Sequence, residues 1–240
     1  MATVQPLKFL TVNPRTKHTA TVIFIHGLGD SGHGWKPVAD LFRTDSMLGH
    51  IKWVLPHAPT MKVTANMGME MPSWFDVLNF EWRAQEDEAG MLRSVASINQ
   101  LISAEVDAGI TANRIVLGGF SQGGAMSILT ALTSERTLGA IAVLSGWLPL
   151  TRKIKAMATP NNINTPIFWG HGEDDPLVEF DMGTRSVEFL KTELKIKTAE
   201  PDEPQKGGIT FRSYEDLPHS TSNEELHDLK EWLKKVMPDA

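Results

Sequence analysis

A serine, an aspartate and a histidine, far apart in the chain, have the types and the order needed for acyl transfer. The serine is Ser121, in the run Gly118-Gly119-Phe120-Ser121-Gln122-Gly123-Gly124. Upstream, Arg114-Ile115-Val116-Leu117 has the β-branched, apolar character of a short strand, and downstream Ala125 to Leu132 reads as helix. A serine on a tight strand-to-helix turn, with glycine two residues before and two after, has the form of a nucleophile elbow. The glycines are needed because the turn's backbone passes close to its neighbours and takes torsions that a Cβ resists. The bare pattern also arises by chance, and its plain alternative is a glycine-rich turn carrying an ordinary serine. Strand and helix in the right places are what lift it above that.

A serine nucleophile needs a base and an acid, and on an elbow of this kind the chain order is serine, acid, histidine. Of the eight histidines, only His219 and His227 follow both Ser121 and every acid that closes a strand. His227 falls inside the final helix on a charged surface pattern. His219 follows the last strand, where loops at the carboxyl ends of parallel strands surround a ligand crevice, and it is preferred. The acid belongs after the Thr165–Trp169 strand, where Glu173, Asp174 and Asp175 compete. Asp175 precedes Pro176, which biases it toward extended backbone and stiffens the turn, but Asp174 stays open on these grounds. His171 precedes the acid and reads as a structural turn residue.

Charge developing on the attacked carbonyl oxygen needs donors. One is the N–H of Gln122; a second is the N–H of Leu28, in the glycine-rich run His26-Gly27-Leu28-Gly29-Asp30-Ser31-Gly32. That run lacks the lysine and serine/threonine of a phosphate loop. In this chemistry His219 takes the Ser121 proton, Asp175 orients and stabilises the imidazole, and water later releases the acyl group. Losing one oxyanion donor typically costs about 10²–10³ in turnover. A free imidazole titrates near about 6.5, so activity through a histidine base falls in mild acid.

The elements that must position these residues alternate strand and helix. Strands are expected over Leu7–Val12, Thr21–Ile25, Ile51–Leu55, Arg114–Leu117, Gly139–Leu144, Thr165–Trp169 and Ile209–Tyr214. Helices are expected over Trp35–Phe42, Glu86–Ala108, Asp181–Lys195 and a final stretch opened by a Ser222/Glu225 capping box. Pro56 to about Phe80 reads as one long loop rich in Met, Trp and Phe, either a wall for an acyl chain or a cap on the core. Residues 197–208 read as an exposed polar insertion. The alternation predicts an α/β fold, a mostly parallel sheet with helices on both faces, forming a single domain over residues 1–240 without a separate lid domain.

The chain has 240 residues, 41% of them hydrophobic, and a formal net charge of -6, which leaves no electrostatic footprint for nucleic acid. It contains no cysteine, so disulfides, thiolate metal sites and a cysteine nucleophile are excluded. Neither a cofactor nor a metal is expected. Met1 to Ala20 has no secretory apolar run, and a soluble intracellular protein is expected.

At this point the chain resembles the acyl-protein thioesterases, the cytosolic carboxylesterase and lysophospholipase branch of the α/β-hydrolases. The matching segments are His26 to Asp30, Pro56 to Pro59, Met71 to Asp76, Gly119 to Gly124, Trp147 to Leu150, His171 to Leu177 and Tyr214 to Ser220. The resemblance resolves the acid as the aspartate directly before the proline, Asp175. It also supports Ser121, His219 and the backbone donors of Leu28 and Gln122. It implies an acyl groove bordered by Met71, Trp74, Phe75, Leu78, Trp147, Leu148 and Leu177. It implies S-acylated protein partners, among them lipidated GTPases and G-protein alpha subunits, with lysophospholipids or small esters as further substrates. It implies cytoplasmic and nuclear localisation, transient contact with membrane surfaces and a homodimer as one assembly state. With no cysteine, the N-terminal palmitoylation of some relatives is impossible here. A broad carboxylesterase and a non-catalytic scaffold are the rival readings; labelling of Ser121 by a fluorophosphonate separates the scaffold from the enzyme.

Overall fold

A computed structural model of the chain describes residues 6–79 and 85–240. The chain opens with β1 (Phe9–Val12) and β2 (Ala20–Ile25), then α1 (Gly32–Arg43) and β3 (Ile51–Pro56). A small hairpin of β4 (Thr60–Val63) and β5 (Met69–Pro72) precedes α2 (Glu88–Asp107). Next come β6 (Ile115–Phe120), α3 (Gln122–Thr133), β7 (Ala140–Leu144), a single turn α4 (Ile154–Met157) and β8 (Pro166–Gly172). The chain ends with α5 (Phe180–Thr192), β9 (Gly208–Tyr214) and α6 (Asn223–Val236).

Seven strands form one sheet in the order β1-β3-β2-β6-β7-β8-β9. Only β1 runs antiparallel to its neighbour; the other pairs are parallel. A parallel sheet needs cover on both faces, which is why β2, β7 and β8 read as unbroken buried runs rather than alternating ones. Alternate residues still choose sides. Ile23, Leu117, Ile141 and Ile167 meet α2 and α3 through Ile98, Ile102, Met126 and Leu129. Val22, Val116, Ala142 and Phe168 meet α1 and α6 through Trp35, Phe42, Trp232 and Leu233. The first parallel unit, β2-α1-β3, grows the sheet one way and β6 to β9 grow it the other. The strand order therefore reverses between β2 and β6, the position at which open α/β sheets form their ligand crevice. Both glycine-rich runs leave the sheet there.

Three expectations need correction. The segment from Pro56 is no simple loop: Thr60 to Val63 pairs with Met69 to Pro72, so the methionines 61 and 71 sit opposite each other on a hairpin. Its far end at Phe80, like Met1 to Gln5, lies outside the described residues. Residues 197–208 are only partly an exposed insertion. Ile209 donates to Lys197 O at 2.9 Å, Ala199 donates to Ile209 O at 3.0 Å, and Ala199 and Pro204 are buried. Half of the capping box forms: the Glu225 N–H donates to Ser222 Oγ at 3.0 Å. The other half does not, because the Glu225 side chain turns inward and is fully buried. Among the described residues no helix is long and apolar enough to cross a membrane.

Candidate active site

Ser121 sits between β6 and α3 with φ 54° and ψ −122°. Such a backbone is strained for any residue with a Cβ and persists only where the surroundings over-determine it. Here they do: the Ser121 N–H donates to Leu144 O at 2.8 Å, and Ala125 donates to Ser121 O at 3.0 Å. The glycines are sterically required. A Cβ on Gly123 would overlap the Ile25 carbonyl oxygen, and one on Gly119 would lie 2.5 Å from the Gly123 carbonyl. The turn lets β6 and α3 pass against the end of β2.

The hydroxyl so raised meets an imidazole. His219, in the loop after β9, places Nε2 2.9 Å from Ser121 Oγ. Its Nδ1 lies 2.6 Å from Asp175 Oδ2. The hydroxyl makes no capping bond to α3, so it is free for the imidazole. Asp175 is 5% exposed, whereas Glu173 and Asp174 are exposed. The other oxygen, Oδ1, accepts from the N–H groups of Leu177 and Val178, both at 2.9 Å. Burial pushes this carboxyl's pKa up, but the His219 contact and the two backbone donors outweigh burial and hold it below the usual aspartate value. It is therefore an anion at neutral pH. His227 is exposed on α6 and makes no hydrogen bond to this cluster among the described residues.

The second glycine run lies beside the serine. A Cβ on Gly27 would sit 3.2 Å from Ser121 Cβ, so Leu28 follows directly on a residue packed against the hydroxyl's own carbon. The Gln122 N–H opens α3 and, as its first amide, has no acceptor within the helix. The Leu28 N–H donates to no protein acceptor among the described residues. Two free amides flanking the serine can meet charge on a bound carbonyl oxygen.

Several residues that hold this geometry were missed by sequence reasoning. The Gln122 side chain is fully buried and knits the elbow to residues 73–75. Its Oε1 accepts from the Trp74 N–H at 3.0 Å, and its Nε2 donates to Phe75 O at 2.9 Å and Ser73 Oγ at 3.0 Å. His26 is buried too: Nδ1 donates to Gly27 O at 2.7 Å and Nε2 accepts from the Ala58 N–H at 3.0 Å. Desolvation lowers its pKa, and it stays neutral as a loop brace. His171 is the turn residue expected: its Nε2 donates to Val178 O at 2.8 Å, tightening the turn that presents Asp175. Burial lowers its pKa as well. Glu225 is the largest surprise. Its carboxyl packs against the Cα of Gly170 on β8 and has no hydrogen-bond partner among the described residues. Burial, then the charges of Asp175 and Asp228, push its pKa up to about 8.

The expected groove residues divide. Phe75 is buried and meets the partly exposed Trp147 edge-on, with ring centroids 6.1 Å apart. Leu177 is 54% exposed, and Met71 and Leu78 are half-buried. Trp74 and Leu148 are each 1% exposed and form part of the core. Trp74 donates its indole N–H to His26 O at 2.8 Å, and the Leu148 N–H donates to Ser186 Oγ at 2.9 Å. Among the described residues no group of three or more His, Asp or Glu could hold a metal ion.

Comparison with known proteins is in keeping with this geometry. Residues 7–237 match the family model described as phospholipase/carboxylesterase. The chain belongs to that family. It is 48% identical over 235 residues to acyl-protein thioesterase 1 of Cryptococcus neoformans, covering 96% of this chain and 98% of the relative. It is 45% identical over 243 residues to acyl-protein thioesterase 1 of Mycosarcoma maydis, covering 97% and 98%. Among solved structures, Zea mays acyl-protein thioesterase 2 superposes with a TM-score of 0.80 at 31% identity, covering 96% of this chain and 99% of that one. The fold is thus that of the α/β-hydrolases. Members of the phospholipase/carboxylesterase family are hydrolases, and the elbow, the imidazole and the buried aspartate lie within the matched residues.

Proposed function

We propose that this chain is a serine hydrolase that cleaves the thioester joining acyl chains to protein cysteines. The observation that carries the reading is the hydrogen-bonded file from Ser121 through His219 to Asp175. His219 takes the Ser121 proton as Oγ attacks the thioester carbonyl, and the Leu28 and Gln122 N–H groups hold the oxyanion. The tetrahedral adduct collapses, the C–S bond breaks, and the imidazolium protonates the leaving thiolate. Water, deprotonated by His219, then attacks the acyl-serine ester, and Ser121 recovers its proton as the carboxylic acid leaves. The acyl chain runs along Trp147, bordered by Met71, Leu78 and Leu177. S-acylated proteins as partners follow from the names of the relatives rather than from any feature of the groove.

A second reading, a broad carboxylesterase or lysophospholipase on the same residues, is favoured by the family's own description. The deciding measurement is the ratio of kcat/KM for a palmitoylated peptide to that for lysophosphatidylcholine. The thioesterase reading expects the peptide to win; a peptide slower by orders of magnitude would leave the lysophospholipase.

A further inference from the structure

An apolar cavity of about 640 Å³, walled in part by Trp74, contains none of the elbow residues in its lining. Its volume is within the range of roughly 300–1,000 Å³ typical of small-molecule sites. It lies between the segment before β1, the stretch from His57 to Met61, and the exposed face of α2. Neither Ser121, Asp175 and His219 nor Phe75, Trp147 and Leu177 line it. Trp74 is the partition: it forms part of the cavity wall, while its indole and amide N–H groups bind His26 O and the Gln122 side chain. Ser94 of α2, also in the lining, donates to Trp74 O and fixes the partition from the other side.

The cavity's own lining differs in charge from the groove beside it, where Asp76, Glu86, Asp87 and Glu88 stand around the shared Arg93. The protein carries a net charge of -6, yet no Asp or Glu lines the cavity, while Lys8 and Arg93 do. Both are exposed, and neither has an ion-pair partner among the described residues. Leu7, Ala58, Pro59, Met61 and Leu92 supply the apolar surface between them. Burial of a ligand's methylenes favours binding there, and two cations without ion-pair partners in the lining favour a negative head over a neutral one.

We propose that this cavity is a binding site for a long-chain fatty carboxylate, separate from the groove that holds the acyl chain during turnover. The tail fills the space between α2 and Pro59, and the carboxylate sits between Lys8 and Arg93. The site rests on the cavity and its charges, not on the assignment of Ser121, and the two stand or fall by different measurements.

The test uses full-length Ser121→Ala protein, so turnover cannot confuse it. Crystals soaked with 16-bromohexadecanoate are expected to show anomalous bromine scattering between α2 and the His57–Met61 stretch. Scattering only beside Phe75 and Trp147 would overturn the proposal. In equilibrium dialysis, hexadecanoate is expected to bind at least tenfold more tightly than hexadecan-1-ol or lysophosphatidylcholine. Equal binding of either competitor overturns the carboxylate assignment. Ala96→Trp, which fills the cavity from α2, is expected to abolish the bromine signal there. Should that variant misfold, the surface pair Lys8→Glu with Arg93→Glu carries the test: a tenfold or greater loss of hexadecanoate supports the site, and no loss sinks it.

Discussion

Two buried carboxyls close to the candidate site, Asp175 and Glu225, have opposite fates. Both are withdrawn from water, at 5% and 0% exposure. Asp175 accepts from two backbone N–H groups and faces the His219 ring, so its pKa is held below the ordinary value of 3.8 despite burial. Glu225 has no hydrogen-bond partner among the described residues, and its pKa rises from the ordinary 4.5 to about 8. Burial alone therefore does not make an anion; the donors around each carboxyl decide its charge. At neutral pH one group is a carboxylate and the other a neutral acid. The neutral state of Glu225 is what lets the two share the end of β8 without repulsion.

That contrast is most easily broken by removing the charge of Asp175. Asp175→Asn is expected to lower kcat by about 10⁴, because an amide at that position favours the wrong imidazole tautomer. Asp174→Asn, one residue away and exposed, should leave kcat near wild type. Steady-state kinetics on a short aryl ester reads both, and equal losses would mean the acid was misassigned.

The next largest effect concerns stability. Because the folded-state pKa of Glu225 is raised, the native chain keeps a proton that the unfolded chain releases between pH 4.5 and about 8. This group's contribution is therefore least unfavourable below pH 4.5. It worsens as pH rises, by up to about 1.4 kcal/mol per pH unit, and levels off beyond its folded pKa. Asp175 has the opposite sign: its contribution is full above 3.8 and is lost as pH falls below that. Glu225→Gln should leave urea stability at pH 4.5 nearly unchanged and raise it at pH 9. A variant no more stable than wild type at pH 9 would show that Glu225 is not held neutral.

Gly170→Ala tests the packing that traps this acid. A methyl there meets the Glu225 carboxyl, and overpacking of this kind costs roughly 1–3 kcal/mol. The loss should be smaller in a background already carrying Glu225→Ala, a non-additivity that thermal or urea unfolding can measure. The smallest effect belongs to His227→Gln. Exposed and outside the Ser121–His219–Asp175 hydrogen bonds, it should shift stability by no more than about 0.5 kcal/mol and leave turnover unchanged.

What the sequence showed and what it hid divide along physical lines. Ser121, His219 and the two glycine runs were legible because each depends on local backbone chemistry at the end of a strand. Chain order then removed most other histidines. The strands of the sheet were legible from their β-branched and apolar residues, apart from boundary shifts of one to three residues. The β4–β5 hairpin was not: its strands are four residues long and carry Met, Lys and Glu, which are weak strand formers. Glu225 read as the second half of a capping box, since nothing local says that its side chain turns toward a glycine 55 residues earlier in the chain. The Gln122 anchor was hidden for the same reason, because its partners Ser73, Trp74 and Phe75 lie about fifty residues upstream. The tethering of residues 197–199 was masked by their polarity, since the contact that holds them is backbone pairing with Ile209.

The Gln122 carboxamide has one consequence for how the protein handles a bulky guest. Its main chain faces the place where an oxyanion would form, while its side chain clasps the segment that carries Phe75. Anything that prises that segment away from the sheet to make room for a tail pulls on the same residue that must greet the carbonyl. Admission of the chain and alignment of its head are thus geared to each other through a single amide.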